Sequence, residues 1–464
     1  MLIRESLRIQ PKEVIALVGG GGKTTAMFRL AEELVAQGKR VITTTTTRIF
    51  AAQINLAPFC LSLAAPLDKR GWGDLRVALK SHPHILIVGE TDAEQKALGV
   101  PREFVDELIA LNEIDAVVYE ADGARMRPFK APAAHEPVIA ASTTLFIPVV
   151  GIRAIGAPLD EKNTHRPEII ARVGNTELGQ PISSELVARV VSHPGAGLKD
   201  KPRGARVIAL VNQVESKEHL GSARDIARRL LQNGEIEAVA IGAVQSESNP
   251  IRETHRRVAA IITAAGAGTR MQGRVKQLLP WRGKTLIENA IELATQSEAN
   301  EMLVVLGAHA EEIQKHLAKS SDGSRAVESS DVGARPAYIL NPGWQEGHAS
   351  SIRSALDALP PQIDAAIFMN ADQPLLTSTV INKIIQRYRE TDASIIVPSY
   401  AGRRGSPVLF RRVHFAELRA LRGEQGGREL IAQYAERVER VDFDDARMGV
   451  DVDTMEEYSL LLRS

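Results

Sequence analysis

AIITAAGAGTRMQGRVKQLLP, spanning Ala260–Pro280, reads as a buried strand that breaks into a glycine-rich turn. The apolar run Val258–Ile262 supplies the strand, and Ala264, Ala265, Gly266, Ala267, Gly268 and Thr269 supply the turn. Glycine lets a backbone approach a phosphate closely and aim its N–H groups at it. Arg270 and, six residues on, Lys276 are placed to neutralise the charge that spreads over phosphates during transfer. Strand, flexible loop, guanidinium and ammonium in that order suit a nucleoside triphosphate.

The first half repeats this logic in another form. The short apolar run Val14–Val18 leads into Gly19, Gly20, Gly21, Gly22, Lys23, Thr24 and Thr25. Met27, Leu30, Ala31, Leu34 and Val35 then recur at helical spacing, and Gly38 supplies a stop. Strand, glycine loop, Gly-Lys-Thr and helix make a phosphate-binding loop, in which Lys23 reaches the outer phosphates and Thr24 holds Mg²⁺. The expected binding residues are Gly20, Gly21, Gly22, Lys23, Thr24 and Thr25. Leu17 stands where the general pattern has glycine. Thr43–Thr47 is either an edge strand or a ladder of hydroxyls beside the phosphate. The strand Ala116–Tyr119 ends in Glu120 and Asp122, placed to hold Mg²⁺ or orient water, unless one of them caps a turn. His135 is either structural or part of the site, and His165 and His193 read as structural. Asn212-Gln213-Val214-Glu215 follows a strand at Val207–Val211. It has the form of a guanine-reading motif with glutamate in the aspartate position, which leaves the base open.

In the second half the apolar strand Ala365–Met369 ends in Asn370-Ala371-Asp372-Gln373-Pro374. An aspartate at the end of a central strand is well placed to bind Mg²⁺ bridging triphosphate oxygens. Asp451 and Asp453 alternate on what reads as one face of a strand. Either is the second metal ligand, and the other caps the last helix. Ser350 and Ser351 read as caps of a helix over Ile352–Leu359.

At 464 residues the chain is too long for one ordinary core. A polar, turn-rich joint at Gln245–Pro250 and a charged stretch after it divide the chain into an α/β domain over 1–250 and a second over 257–464. Lys plus Arg and Asp plus Glu each number 57, so the net charge is zero, which argues against duplex nucleic acid as a partner. The single cysteine, Cys60, rules out an internal disulfide framework. The start, MLIRESLRIQPKEV, lacks an apolar signal core, and no apolar run reaches bilayer length. The expectation is a cytoplasmic protein without a membrane or nucleic-acid partner.

The stretches GGGGKTT, EADGARMRPFKAP, HEPVI, VVGIRAIGAPL and LVNQVE, with the threonine run, resemble the YqeC family over Gly19–Glu215. That resemblance implies a P-loop-type α/β fold, and ATP or GTP are the candidate ligands of its phosphate loop. It also implies a role in maturing a selenium- or molybdenum-dependent hydroxylase, with a xanthine-dehydrogenase-like client as partner. AAGAGTRM with Lys276, NPGWQEGHASSIRSAL, NADQP, RRGSPVLF and GVDVDT resemble the MobA-like nucleotidyltransferases over Ala260–Tyr458, and within them the molybdenum cofactor cytidylyltransferases. The second resemblance implies a Rossmann-like MobA-type α/β domain that moves CMP from CTP to a molybdopterin-type cofactor. Arg270, Lys276 and Asp372 would be catalytic, and Asp372 with Asp451 or Asp453 would hold Mg²⁺. Asn341, Gly347, Ser350, Ser351, Gly405 and Pro407 would bind the cofactor. The Ala264-Ala265 pair before Gly266 is that of cytidylyl members, and the departures are Asn370 and Gln272, where members carry glycine. Guanylyl or sugar-phosphate transfer, and a non-catalytic cofactor carrier with a nucleotide-gated switch, are the alternatives.

Overall fold

The computed structural model describes residues 1–50, 54, 56–63, 69–90, 96–322 and 335–463. The chain forms two compact units, Met1–His255 and Arg256–Ser464. Among the described residues no helix is long and apolar enough to cross a membrane.

The first unit is built on a nine-stranded sheet. Its strands run, in spatial order, Ile251–Arg256, Ala238–Gly242, Arg206–Asn212, Leu145–Gly151, Glu13–Gly19, Ala116–Glu120, Val41–Thr45, His84–Val88 and Cys60–Ser62. From Ala238–Gly242 to Cys60–Ser62 every neighbouring pair is parallel. A sheet covered on both faces needs strands that are apolar throughout. Glu13–Gly19 shows this directly: Val14, Ala16 and Val18 enter one core cluster, and Ile15 and Leu17 enter the other.

The threonine run is not an edge strand. Val41–Thr45 is an interior strand, flanked by His84–Val88 and Ala116–Glu120. Its hydroxyls are satisfied locally: Thr43 Oγ1 lies 2.9 Å from His84 Nε2, Thr44 donates to Ile87 O at 2.7 Å, and Thr46 donates to Val138 O at 2.8 Å. Buried hydroxyls need partners, and here the sheet and its neighbours supply them.

The charged stretch after Pro250 is a strand as well. Ile251–Arg256 forms the sheet edge, with Ile251 fully buried. Glu253 survives burial because Arg224 Nε, at 3.0 Å, and His255 Nε2, at 2.7 Å, meet its carboxylate.

The second unit carries a mixed sheet in the order Pro336–Leu340, Glu301–Leu306, Val258–Ala264, Ala365–Asn370, Val408–Arg411, Ile395–Tyr400 and Arg403–Arg404, with Val438–Phe443 pairing Ile395–Tyr400. Val258–Ala264 lies parallel between Glu301–Leu306 and Ala365–Asn370. It again divides its side chains, sending Val258, Ala260 and Ile262 to one cluster and Ala259 and Ile261 to the other.

Two local expectations are corrected here. The helix His348–Ala358 starts after Gly347, so Ser350 and Ser351 lie inside its first turns rather than capping it. Asp451 and Asp453 are not on a strand. The sheet strand is Val438–Phe443, and the chain runs from a short 3-10 turn, Ala446–Gly449, to the helix Met455–Leu461. Thr454 caps that helix, accepting from Glu457 N at 3.2 Å, so neither aspartate does so. The Val-Asp alternation has the period of a strand, but Val452 N donates to Asp372 O at 3.0 Å, a contact with a loop and not a ladder.

Ile251→Ala removes a fully buried side chain from the edge strand. It is expected to destabilise the first unit by roughly 2–5 kcal/mol. Native-state hydrogen exchange of Arg206–Asn212 and Ala238–Gly242 in urea reads the loss, and an unchanged exchange rate would show that the edge strand adds nothing.

Candidate functional site

In the second unit a cleft of about 1290 Å³ opens at the carboxyl ends of Val258–Ala264 and Ala365–Asn370. The turn Ala264–Arg270 forms one wall. Gln277 sets its shape, donating to Ala264 O and Gly266 O at 3.0 Å each. Nothing in the sequence marks this glutamine, because its role is to tie a loop that forms only in the fold. Lys276 packs on the turn, its Cβ 3.2 Å from where a Cβ on Gly268 would sit. Its ammonium contacts Asp372 and lies 3.1 Å from Asp453 Oδ1, and Arg270 Nη2 lies 3.4 Å from Asp453 Oδ2.

The charges are unevenly matched. Desolvation in the cleft, then the like charges of Asp372 and Asp453, push the Asp451 carboxyl up to about 6. Burial would also raise Asp453, but Lys276 and Arg270 hold it below the usual carboxylate range. Asn370, the departure from the expected glycine, hydrogen-bonds Asp451 and accepts from Thr263 Oγ1 at 2.9 Å, so it positions an acidic group. Asp372 Oδ1 is buried without a hydrogen-bond partner among the described residues.

Gly347, Ser351 and Gly405 line the cleft, but Asn341, Ser350 and Pro407 do not. Asn341 Nδ2 donates to Ser350 Oγ at 2.8 Å and Ser351 Oγ at 3.2 Å, which ties the loop Asn341–Ser351 together from behind. Pro407 is buried. Small polar residues in a loop look alike in sequence whether they face a ligand or brace the loop.

In the first unit Lys23 is buried and donates to Gly19 O at 2.6 Å. Its ammonium lies 3.2 Å from Asp122 and 4.0 Å from Glu120, while Thr24 Oγ1 donates to Glu120 at 2.5 Å. Gly21 has φ +82°, and a Cβ there would lie 2.2 Å from Gly151 N, so only glycine fits. Gly20 N donates to Val149 O at 2.9 Å and Gly21 N to Arg127 O at 3.1 Å. Those two amides are turned into the protein, and the two glycines shape the loop.

The ion pairs continue past the loop. Lys130 bridges Asp122 and Glu136 at 2.9 Å each, and Arg166 reaches Glu136 at 2.6 Å. Burial alone would raise Glu136, but Arg166 and Lys130 bring its carboxyl down to about 2. His135 is exposed, and it is its neighbour Glu136 that joins the network. Asn212 donates to Gly21 O at 2.7 Å and accepts from Val244 N at 3.0 Å, so this residue clamps the glycine loop. Glu215 pairs with Arg153 at 2.8 Å. Among the described residues no three His, Cys, Asp or Glu side chains form a ready metal-ligand set.

Residues 15–168 match the family model of the YqeC protein, and residues 260–438 match the MobA-like NTP transferase domain. The chain is 34% identical over 235 residues to the uncharacterised protein YqeC of Escherichia coli, covering 50% of this chain and 88% of that one. The chain belongs to the YqeC family. Its second half is a nucleotidyltransferase domain of the MobA-like kind. The chain is 29% identical over 211 residues to nicotine blue oxidoreductase of Paenarthrobacter nicotinovorans, covering 44% of this chain and 96% of that one. It is also 28% identical over 149 residues to molybdenum cofactor cytidylyltransferase of Escherichia coli, covering 32% of this chain and 67% of that one. The YqeC match contains the glycine loop and the whole ion-pair chain from Glu120 to Arg166. The MobA-like match contains Arg270, Lys276 and Asp372 and ends before Asp451 and Asp453.

Removing one member of a buried ion-pair chain leaves its partners uncompensated. Lys130→Met in the YqeC half is expected to cost roughly 3–5 kcal/mol of stability. The Glu136 carboxyl lies below its unfolded value, so its contribution is full above that value and is lost as pH falls toward about 2. Without Lys130 this acid-side loss becomes shallower. Urea midpoints measured from pH 6 to pH 3 check both effects, and parallel curves for the two proteins would contradict the assignment.

Proposed function

We propose that the second unit transfers CMP from CTP to the phosphate of a molybdopterin-type cofactor, and that the first unit binds ATP or GTP during maturation of a molybdenum hydroxylase. The observation that carries the reading is Lys276, packed on the glycine turn and seated between Asp372 and Asp453 in the cleft. The likeness to a molybdenum cofactor cytidylyltransferase supports CTP and the pterin acceptor.

An oxygen of the acceptor phosphate attacks the α-phosphorus, the bond from that phosphorus to the α–β bridging oxygen breaks, and pyrophosphate leaves with the electron pair. The attacking phosphate is already ionised, so no strong general base is needed. Arg270 and Lys276 neutralise charge that grows on the phosphates, and they do so most where that charge is greatest, in the transition state. Lys276 gives up carboxylate contact to meet a phosphate oxygen. Asp372 and its neighbours fit a divalent cation: Asp372 Oδ1 has no partner among the described residues, and Asp451 is raised by burial and then by the like charges of Asp372 and Asp453. Mg²⁺ is commonly held by one or two carboxylates together with substrate phosphates and water. Asp372 with Asp451 or Asp453 would hold it, and when bound it supplies charge neutralisation on the triphosphate. Gly347, Ser351 and Gly405 contact the acceptor, and Asn341, Ser350 and Pro407 support them.

In the first unit the phosphates fall to the N-terminal turn of the helix Lys23–Val35, where backbone N–H groups and the helix dipole favour an anion. Lys23 exchanges Asp122 for an outer phosphate. Thr24, with Glu120 and Asp122 behind it, would hold a divalent cation, which would neutralise charge on the phosphates.

Mixing the protein with purified cofactor, Mg²⁺ and each triphosphate should release pyrophosphate at least ~10-fold faster from CTP than from GTP or UTP, with the CMP adduct seen by mass spectrometry. Lys276→Ala should lower kcat about 10²–10³-fold. A preference for GTP or UTP, or nicotinamide cofactor oxidation without pyrophosphate, would sink the assignment. For the first unit, addition of a client hydroxylase should stimulate ATP or GTP hydrolysis, and Lys23→Ala should abolish it. Stimulated hydrolysis that survives Lys23→Ala would remove the glycine loop from the account.

A further inference from the structure

Among the described residues four acids line the cleft of the second unit: Asp372, Asp451, Asp453 and Glu424. The first three belong to the group around Lys276, which contacts Asp372 and Asp453, while Asn370 holds Asp451. Glu424 stands apart, on another segment of the chain. It is exposed to the cleft, and among the described residues no ion pair or hydrogen bond engages its carboxylate. A carboxylate without a counter-charge repels the phosphates that this cleft would receive, so a ligand must meet it with donors of another kind.

The backbone around Glu424 is fixed. Gln425 N donates to Arg422 O at 3.1 Å, closing a turn with Gly423 and Glu424 at its centre. Arg422 N donates to Gln425 Oε1 at 2.9 Å, and Gln425 Nε2 donates to Glu429 Oε1 at 3.1 Å, so the neighbouring side chain of Gln425 braces the turn. Ala349 N donates to Gly423 O at 3.0 Å. A Cβ on Gly347 would lie 2.5 Å from Gly423 C, and one on Gly427 would lie 2.3 Å from Phe410 Cζ, so the segment is seated at both ends. Burial keeps the His348 imidazole below its usual pKa despite the pull of Glu424 and Asp372, so at neutral pH it is uncharged and cannot supply the missing cation. Trp344, whose carbonyl accepts from Gly347 N at 3.2 Å, and Phe410 line the cleft beside this segment, and their flat apolar faces suit a heteroaromatic ring.

A 2-amino-4-oxopteridine presents two parallel donors on one edge, its 2-amino group and its N3–H. A carboxylate offers two acceptors at matching spacing, the geometry that makes guanidinium–carboxylate pairs bidentate. We propose that Glu424 accepts hydrogen bonds from that edge of the acceptor's pterin ring, and so sets which heterocycle the second unit takes. This rests on the reading of the acceptor as a pterin-type cofactor. Glu424 reads the ring, while Arg270 and Lys276 act on the phosphates.

The test titrates the full chain with pterin-6-carboxylate and with lumazine-6-carboxylate, which has a carbonyl in place of the 2-amino group, and follows the quenching of each ligand's own fluorescence. The pterin should bind at least ~10-fold more tightly, because the lumazine carbonyl faces a carboxylate. Glu424→Gln, which offers one acceptor and one donor, should reverse the preference. In the pyrophosphate-release assay the same variant should raise KM for the cofactor at least ~10-fold and shift KM for CTP by less than about twofold. A merely structural role would shift both KM values and reverse no preference. Equal binding of the two ligands by the unaltered protein, binding of neither, or a preference that survives Glu424→Gln would overturn this inference alone when CMP transfer to the cofactor is intact. Absence of that transfer would overturn the acceptor reading and this inference together.

Discussion

A lysine ammonium held among carboxylates at a glycine turn is the arrangement on which both units depend. Lys23 sits by Asp122 and Glu120, and Lys276 sits between Asp372 and Asp453. Each lysine follows a glycine turn that leaves a core strand, and in each unit an acid follows a neighbouring parallel strand. An ammonium in a desolvated pocket is tolerated only when paired. The same pairing stores a cation where an anionic substrate will need one. Carboxylate contact and phosphate contact are alternatives for one ammonium, so under the proposed reactions substrate entry and rearrangement of the acids would be a single event.

The two sites are nonetheless built to different degrees of closure. In the second unit the lysine and its acids border a cleft of about 1290 Å³, large enough for two substrates of nucleotide size. In the first, Lys23 and Asp122 are almost wholly buried, and the chain of ion pairs runs on through Lys130 and Glu136 to Arg166. Any phosphate that draws Lys23 away from Asp122 changes the balance along that chain. The first site is coupled to its surroundings by charge. The second is an open cleft whose loops are tied by Gln277, Asn370 and Asn341.

Much of this was legible from local sequence. Four apolar runs that end in glycine or lead into an acid are strands of the structure: Glu13–Gly19, Ala116–Glu120, Val258–Ala264 and Ala365–Asn370. The misreadings share a cause. Thr43–Thr45 was ambiguous because a threonine hydroxyl serves a buried sheet as well as a ligand. Asp451 and Asp453 alternate like strand residues, yet Val452 between them is held by a loop contact to Asp372. Ile251–Arg256 looks too charged for a sheet until Arg224 and His255 are seen to meet Glu253.

The sequence by itself determined that this chain has two α/β units, each with a glycine loop followed by a lysine, because hydrophobic period and glycine placement are local properties of the backbone. Only the tertiary structure decided which acids meet those lysines, that Asn212 clamps Gly21, and that Glu136 and not His135 joins the buried chain. Those outcomes depend on contacts between residues far apart in sequence, 30 positions for Arg166 with Glu136 and 191 for Asn212 with Gly21. No local pattern encodes such distances, since the parallel order of the strands creates them.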